Sequence, residues 1–223
     1  MENFLTTRAL FPHGYGMAEE LLKSSEYPWE ILKDIGGFIE ALGNKLPESD
    51  YVKHSGNVWI ARSAIIARSA FLGTNIIVGP GTEIRHCAFL RGNALIGNNC
   101  VVGNSTEIKN SILIEKVEAP HFNYVGDSIL GYGAHLGAGV ITSNIKSDRT
   151  NVEIRISENR IKTDLRKMGA MIGDQVEIGC NAVLNPGSVI GAGSRIYPLT
   201  TVRGYVPAHS ILKQNGEIVT IKA

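Results

Sequence analysis

The stretch IARSAIIARSAFLGTNIIVGPGTEIRHCAFLRGNALIGNNCVVGNSTEIKNSILI, residues 60–114, decides the fold. An aliphatic residue stands at every sixth position in it: Ile60, Ile66, Leu72, Val78, Ile84, Leu90, Ile96, Val102, Ile108 and Ile114. Helices repeat near 3.6 residues and strands at two, so a period of six predicts a parallel β-helix of hexapeptide repeats. The residue two places earlier is mostly small, as at Ala64, Ala70, Thr82, Ala88, Ala94, Cys100 and Thr106. A large side chain beside a small one fills a narrow core. The beat returns at Ile172, Ile178, Leu184, Ile190, Ile196 and Val202, with Leu130 and Leu136 between the two runs. Glycines such as Gly73, Gly79, Gly97, Gly103, Gly173, Gly179 and Gly191 fall at the expected corners, where a tight turn can require positive φ.

Composition bounds the rest. The chain has 223 residues, 43% apolar, with a net charge of +1. This fits a globular protein of one domain with a small appendage and carries no nucleic-acid footprint. No apolar run reaches membrane-spanning length, and residues 1–9 lack the pattern of a signal peptide. Three scattered cysteines argue against a disulfide framework and fit a reducing cytoplasm. Cys100 reads as core filler.

Residues 1–56 stand outside the repeat and are expected to form a helical cap, with helices over Met17 to Lys23 and Pro28 to Leu46. Trp29, Leu32, Ile35, Phe38, Ile39 and Leu42 give the second a helical apolar stripe. The stripe is expected to pack on the first coils or a neighbouring subunit, and a cap would also cover the exposed strand edges at a solenoid end. Residues 57–223 form the solenoid region, with coils to about Pro207. Two interruptions are expected, EAPHFNYVGD at 118–127 and an insertion over 145–169 whose Val152, Ile154 and Ile156 alternate toward a hairpin turn at SEN. Insertions in repeat proteins often mark the binding face, which makes these breaks the place to look for chemistry.

His121 lies in the first break, with Tyr124 beside it; histidine is the side chain suited to proton transfer near neutral pH. His135 precedes an inward Leu136 and should point outward. Arg91, Lys109, Lys146, Arg149 and Arg155 offer charge to a phosphate. Phosphate-loop, dinucleotide-loop and nucleophile-elbow motifs are not found. An interfacial zinc site would draw on His86, His121 and His135, whose spacing does not single one out; no metal is expected.

The segments GNSTEIKNS (103–111), PHFNYVGDS (120–128) and AHLGAGVITSN (134–144) resemble the acetyltransferase domain of the bifunctional N-acetylglucosamine-1-phosphate uridylyltransferase/glucosamine-1-phosphate acetyltransferase family. RKMGAMIGDQVEIGCNAVLNPGSVIGAGSRIYP (166–198) resembles the C-terminal half of sugar-1-phosphate nucleotidylyltransferases. The resemblance spans about residues 60–207. It implies a mainly β fold, a left-handed parallel β-helix of hexapeptide repeats, in a stand-alone short member. Residues 1–56 are too few for the nucleotidylyltransferase domain of those enzymes.

The same resemblance implies an N-acetyltransferase with acetyl-CoA as co-substrate, an amino-sugar 1-phosphate as acceptor, and a homotrimeric assembly. By position it implies His121 as general base, the Ala138 N–H as oxyanion donor and Asn144 at the site's edge. Arg91, Lys109 and Tyr124 would hold sugar and phosphate. Ala138, Cys180 and Pro198 would line the acetyl-CoA groove, with Arg203 on the CoA phosphates. His135 stands where the bacterial enzymes have an asparagine. Thr150 replaces a phosphate-gripping lysine, with Arg149 one residue earlier. The alternative expectation is a non-catalytic solenoid that binds a sugar nucleotide or partners a separate nucleotidylyltransferase.

Overall fold

Backbone pairing turns the six-residue beat into three columns of inward side chains. A computed structural model describes residues 3–221, and its parallel coils stack into a three-faced prism. On the first face Leu72, Leu90, Ile108, Val125, Thr142, Leu184 and Val202 stand in register. The second face stacks Ile60, Val78, Ile96, Leu113, Leu130, Ile172, Ile190 and Val206. The third carries Ile66, Ile84, Val102, Ala119, Leu136, Ile178, Ile196 and Leu212. These columns and their small partners, including Ala88, Ala94 and Cys100, make one continuous buried core.

The rhythm slips where the sequence hides it. Leu113, not Ile114, enters the inner column, and Ile114 packs outward in a second apolar cluster. Residues 118–127 are consequently no insertion: Glu118–His121 and Tyr124–Gly126 are ordinary coil strands. Following the columns around the prism places every departure from six on the edge between the first and second faces. Ile108 to Leu113 and Val125 to Leu130 each lose a residue, Thr142 to Ile172 holds the insertion, and Val202 to Val206 is shortened. The insertion does carry the expected antiparallel hairpin, Glu153–Ile156 with Asn159–Lys162.

Corner chemistry also differs from expectation. The seven glycines named above do not have positive φ; that conformation falls to Asn57, Asn75, Asn93, Asn99, Ser105 and Asn181 among others. Asparagine tolerates the left-handed region better than most residues. The glycines are needed instead for close approach. A Cβ on Gly97 would overlap the Ile114 carbonyl of the next coil, and one on Gly103 the Pro120 carbonyl. Gly97→Ala should therefore lower stability by about 3 kcal/mol, the upper end for overpacking. Urea unfolding followed by circular dichroism checks the value.

The N-terminal segment lays its helices along the second face, and its last strand covers the edge of the first coil. Its helices are shorter than expected: 3-10 turns at Gly16–Ala18 and Pro28–Lys33 lead into α-helices at Glu19–Leu22 and Ile35–Gly43. Trp29, Leu32, Ile35 and Ile39 bury against the outward residues Trp59, Ile77, Leu95, Ile112, Ile129 and Met171. An apolar outer surface on this face explains why two adjacent aliphatic residues occur where the coil slips. Tyr51–His54 pairs antiparallel with Val58–Ala61 and blunts the first coil's edge, and Ile218–Thr220 folds back on Ser210–Leu212 at the other end. Among the described residues no helix is long and apolar enough to cross a membrane.

One buried carboxylate ties the cap down. Asp174, 1% exposed, accepts the backbone N–H of His13 at 2.8 Å and of Tyr132 at 2.7 Å, and faces His13 Nδ1 at 3.0 Å. Burial raises its pKa even though these donors pull it down. A carboxyl with a raised folded pKa gives stability that is fully present below its unfolded pKa and is lost as pH rises through the folded one. The wild-type chain should thus lose stability relative to Asp174→Asn as pH climbs from about 4. Thermal midpoints of both proteins across that range test the sign.

Candidate active site

The candidate residues fall on the two edges that bound the first face. At the edge between the third and first faces, each coil turns through a pair of residues, and the pairs stack. His121–Phe122, Ala138–Gly139, Cys180–Asn181 and Pro198–Leu199 follow one another along the prism. Three backbone bonds fix the stack: Gly139 N–H to His121 O at 3.0 Å, Asn181 N–H to Ala138 O at 2.8 Å, and Leu199 N–H to Cys180 O at 2.9 Å. The second residue of each pair takes positive φ. His121, Ala138, Cys180 and Pro198, distant in sequence, thus form one column. Phe122 and Leu199 flank it with rings and methyls that are 61% and 62% exposed, an apolar wall on an open edge.

A buried asparagine sets the direction of the donor in this column. Asn123, 2% exposed, occupies an inward slot that other coils give to alanine, threonine or valine. Its Oδ1 accepts the His121 N–H at 3.2 Å, and its Nδ2 donates to the Gly137 carbonyl at 2.8 Å. In a trans peptide the C=O and N–H point opposite ways. Drawing the Gly137 carbonyl inward turns the Ala138 N–H outward, beside His121. Among the described residues that N–H has no acceptor.

The opposite edge, where the rhythm is irregular, gathers the polar residues. Asp127, 4% exposed with positive φ, accepts Lys109 Nζ on both oxygens at 2.9 Å, Asn110 Nδ2 at 2.9 Å and Asn144 Nδ2 at 2.5 Å. Asn144 Nδ2 also donates to the Tyr124 hydroxyl at 3.2 Å. Asn110 donates in addition to the Leu32 carbonyl, which links this network to the N-terminal segment. Burial, with Glu107 and Asp127 adding negative charge, raises the Tyr124 pKa, so its hydroxyl stays neutral. Arg91 sits at the register shift between Leu90 and Gly92 and pairs with Glu107 at 3.2 Å. Such irregularities re-aim side chains.

Five of the residues named above lie apart from both groups. His135 points outward as expected and pairs with Glu177 at 2.9 Å on the third face. Arg149 occupies an exposed turn with positive φ. Thr150 is held by Lys146 Nζ at 2.5 Å and by Asp148. Arg203 lies farther along the irregular edge, where the hairpin meets the coils. His86 is engaged by Ser69 at 2.6 Å and Cys87 at 3.3 Å. Among the described residues, no group of three or more His, Cys, Asp or Glu could hold a metal ion.

Sequence reasoning missed Asp127, Asn110 and Asn123, although all three lie in or beside the quoted motifs. A usable signal exists. Residues one coil apart stack, and Asp127 follows Lys109 by one coil, as Asn144 follows Asp127.

The profile described as "Bacterial transferase hexapeptide (six repeats)" matches residues 169–204. The chain carries this hexapeptide repeat and folds as a left-handed β-helix. Over 198 residues, 88% of its length, it is 33% identical to the bifunctional protein GlmU of Methanococcus maripaludis, covering 48% of that protein. Over 88 residues, 40% of the chain, it is 40% identical to a bifunctional sugar-1-phosphate nucleotidylyltransferase/acetyltransferase of Sulfurisphaera tokodaii, covering 22% of it. The chain thus spans about half the length of the GlmU relative it matches. A solved structure of the polySia-specific acetyltransferase NeuO aligns with 70% of the chain and 79% of its own at 18% identity and a TM-score of 0.45.

Proposed function

We propose that the protein is an acetyl-CoA-dependent N-acetyltransferase acting on an amino-sugar 1-phosphate of the glucosamine-1-phosphate type. The observation that carries this reading is the column of His121, Ala138, Cys180 and Pro198 on one edge. A thioester laid along that edge would meet a base and an outward N–H side by side. His121 takes the proton from the sugar amine as nitrogen attacks the thioester carbonyl. The Ala138 N–H stabilises the oxyanion, worth about 10²–10³ in rate for one such donor. Collapse breaks the C–S bond, the amide forms, and the proton passes from His121 to the departing thiolate. No acyl-enzyme is required, because the thioester is already activated and the two substrates need only positioning.

Tyr124, Asn144 and Arg91 are the groups proposed to face the sugar and its phosphate. His121 and Tyr124 stand on either side of the corner turn at Phe122, at the end of one strand and the start of the next. A site spanning both edges is naturally completed by the edge of a neighbouring solenoid. We therefore propose a homotrimer with grooves between subunits, whose mass sedimentation equilibrium would report. Cytoplasmic residence in nucleotide-sugar synthesis belongs to the same reading.

One observation favours a second reading, a sugar-nucleotide-binding or assembly partner without catalysis: Lys109 is already neutralised by Asp127. Incubation with acetyl-CoA and glucosamine 1-phosphate separates the two. Free thiol released in step with N-acetylated sugar supports the enzyme. Ligand binding without thiol release supports the partner.

A further inference from the structure

We propose that the insertion hairpin and the irregular edge together form a binding site for a phosphate group, separate from the Lys109–Asp127 network. Lys146, Arg155, Arg160 and Arg203 line one cavity of about 70 Å³, with Glu153 as the carboxylate among its lining residues. That volume leaves room for a compact anion. The charges do not cancel. Arg160 is paired with Glu153 at 3.5 Å, and Lys146 leans on Asp148 at 3.4 Å. Arg155 and Arg203 have no ion-pair partner among the described residues.

The backbone that frames the cavity is fixed by packing. Val152 and Ile154 are fully buried, which pins the hairpin strand Glu153–Ile156 to the second face. Gly204, at φ +78°, lies under Arg155 so closely that a Cβ there would overlap the Arg155 carbonyl. Gly187 leaves room in the same way for Val152. Arg155 and Arg203, both unpaired among the described residues, thus border one pocket whose lining carboxylate, Glu153, is already paired with Arg160. Like charges so placed repel, and a doubly charged anion relieves this through charge-assisted hydrogen bonds that guanidinium geometry suits.

The phosphate can be free, or can be the end of a nucleotide-type ligand such as the 3′-phosphate of CoA. Titration calorimetry of the full chain with inorganic phosphate, 3′,5′-ADP, CoA and 3′-dephospho-CoA tests the site and its source. Arg155→Glu should weaken phosphate or 3′,5′-ADP by about tenfold or more, and Glu153→Gln should tighten them. Both positions are on the hairpin's outer side, and unchanged thermal midpoints would show that the fold is retained. Loss of affinity for CoA but not dephospho-CoA in Arg155→Glu assigns the phosphate to CoA. Loss for inorganic phosphate with CoA unaffected assigns a free anion. Equal binding by wild type and Arg155→Glu, or no binding of any of these ligands, would overturn the proposal whether or not the protein acetylates sugars.

Discussion

His121→Ala is expected to lower kcat for acetyl transfer by about 10²–10⁴-fold, the usual contribution of a positioned general base. The KM for acetyl-CoA should hardly move, because the proposed CoA groove follows Ala138, Cys180 and Pro198 and not the imidazole. The loss should shrink at high pH, where the sugar amine is already neutral and needs no base. His121 is exposed and its backbone is held by Asn123 and Gly139, so the substitution leaves the coil intact. Steady-state kinetics from pH 6 to 10 would measure both effects. Full turnover by His121→Ala at neutral pH would remove this residue as the base and leave His135 as the next to test.

Asp127→Ala should be the most destabilising change at the site. It leaves Lys109, Asn110 and Asn144 without their shared acceptor, and Lys109 is only 24% exposed. Removing one partner of a buried ion pair costs about 3–5 kcal/mol, mostly because the other charge is stranded. The substitution also releases Asn144 from its position against the Tyr124 hydroxyl, so the KM for the sugar phosphate should rise. The double variant Asp127→Ala with Lys109→Met removes the stranded charge. It should recover a large part of the stability but not the sugar affinity. Urea unfolding gives the first quantity and acetyl-transfer kinetics the second. Recovery of both together would mean the network supports the fold alone.

The coils were legible because six-residue spacing has no other reading, and the hairpin because Val152, Ile154 and Ile156 alternate beside a turn. The slip at Leu113 was not legible. Residues 112–114 read Ile-Leu-Ile, so the beat passes as easily through Ile114 as through Leu113. Only the apolar cover laid over the second face by the N-terminal segment distinguishes them, and that cover is a tertiary fact. The column of His121, Ala138, Cys180 and Pro198 came from motif order, but its physical sense needed the coil length that stacks these residues. Asp127 and Asn123 were passed over for a related reason. Their roles depend on bonds to neighbouring coils, to Lys109 and to the Gly137 carbonyl, which local spacing does not reveal.

The chain's own thiols give the most direct test of the proposed groove. Cys180 is exposed on the column, Cys87 is exposed on the same edge toward the first coils, and Cys100 is buried with its thiol pushed up to about 12. Alkylation by iodoacetamide, followed peptide by peptide by mass spectrometry, should label Cys87 and Cys180 and spare Cys100. Saturating acetyl-CoA should slow labelling of Cys180 and leave Cys87 unchanged. Labelling of Cys180 at the same rate with and without acetyl-CoA would contradict a thioester site along this edge.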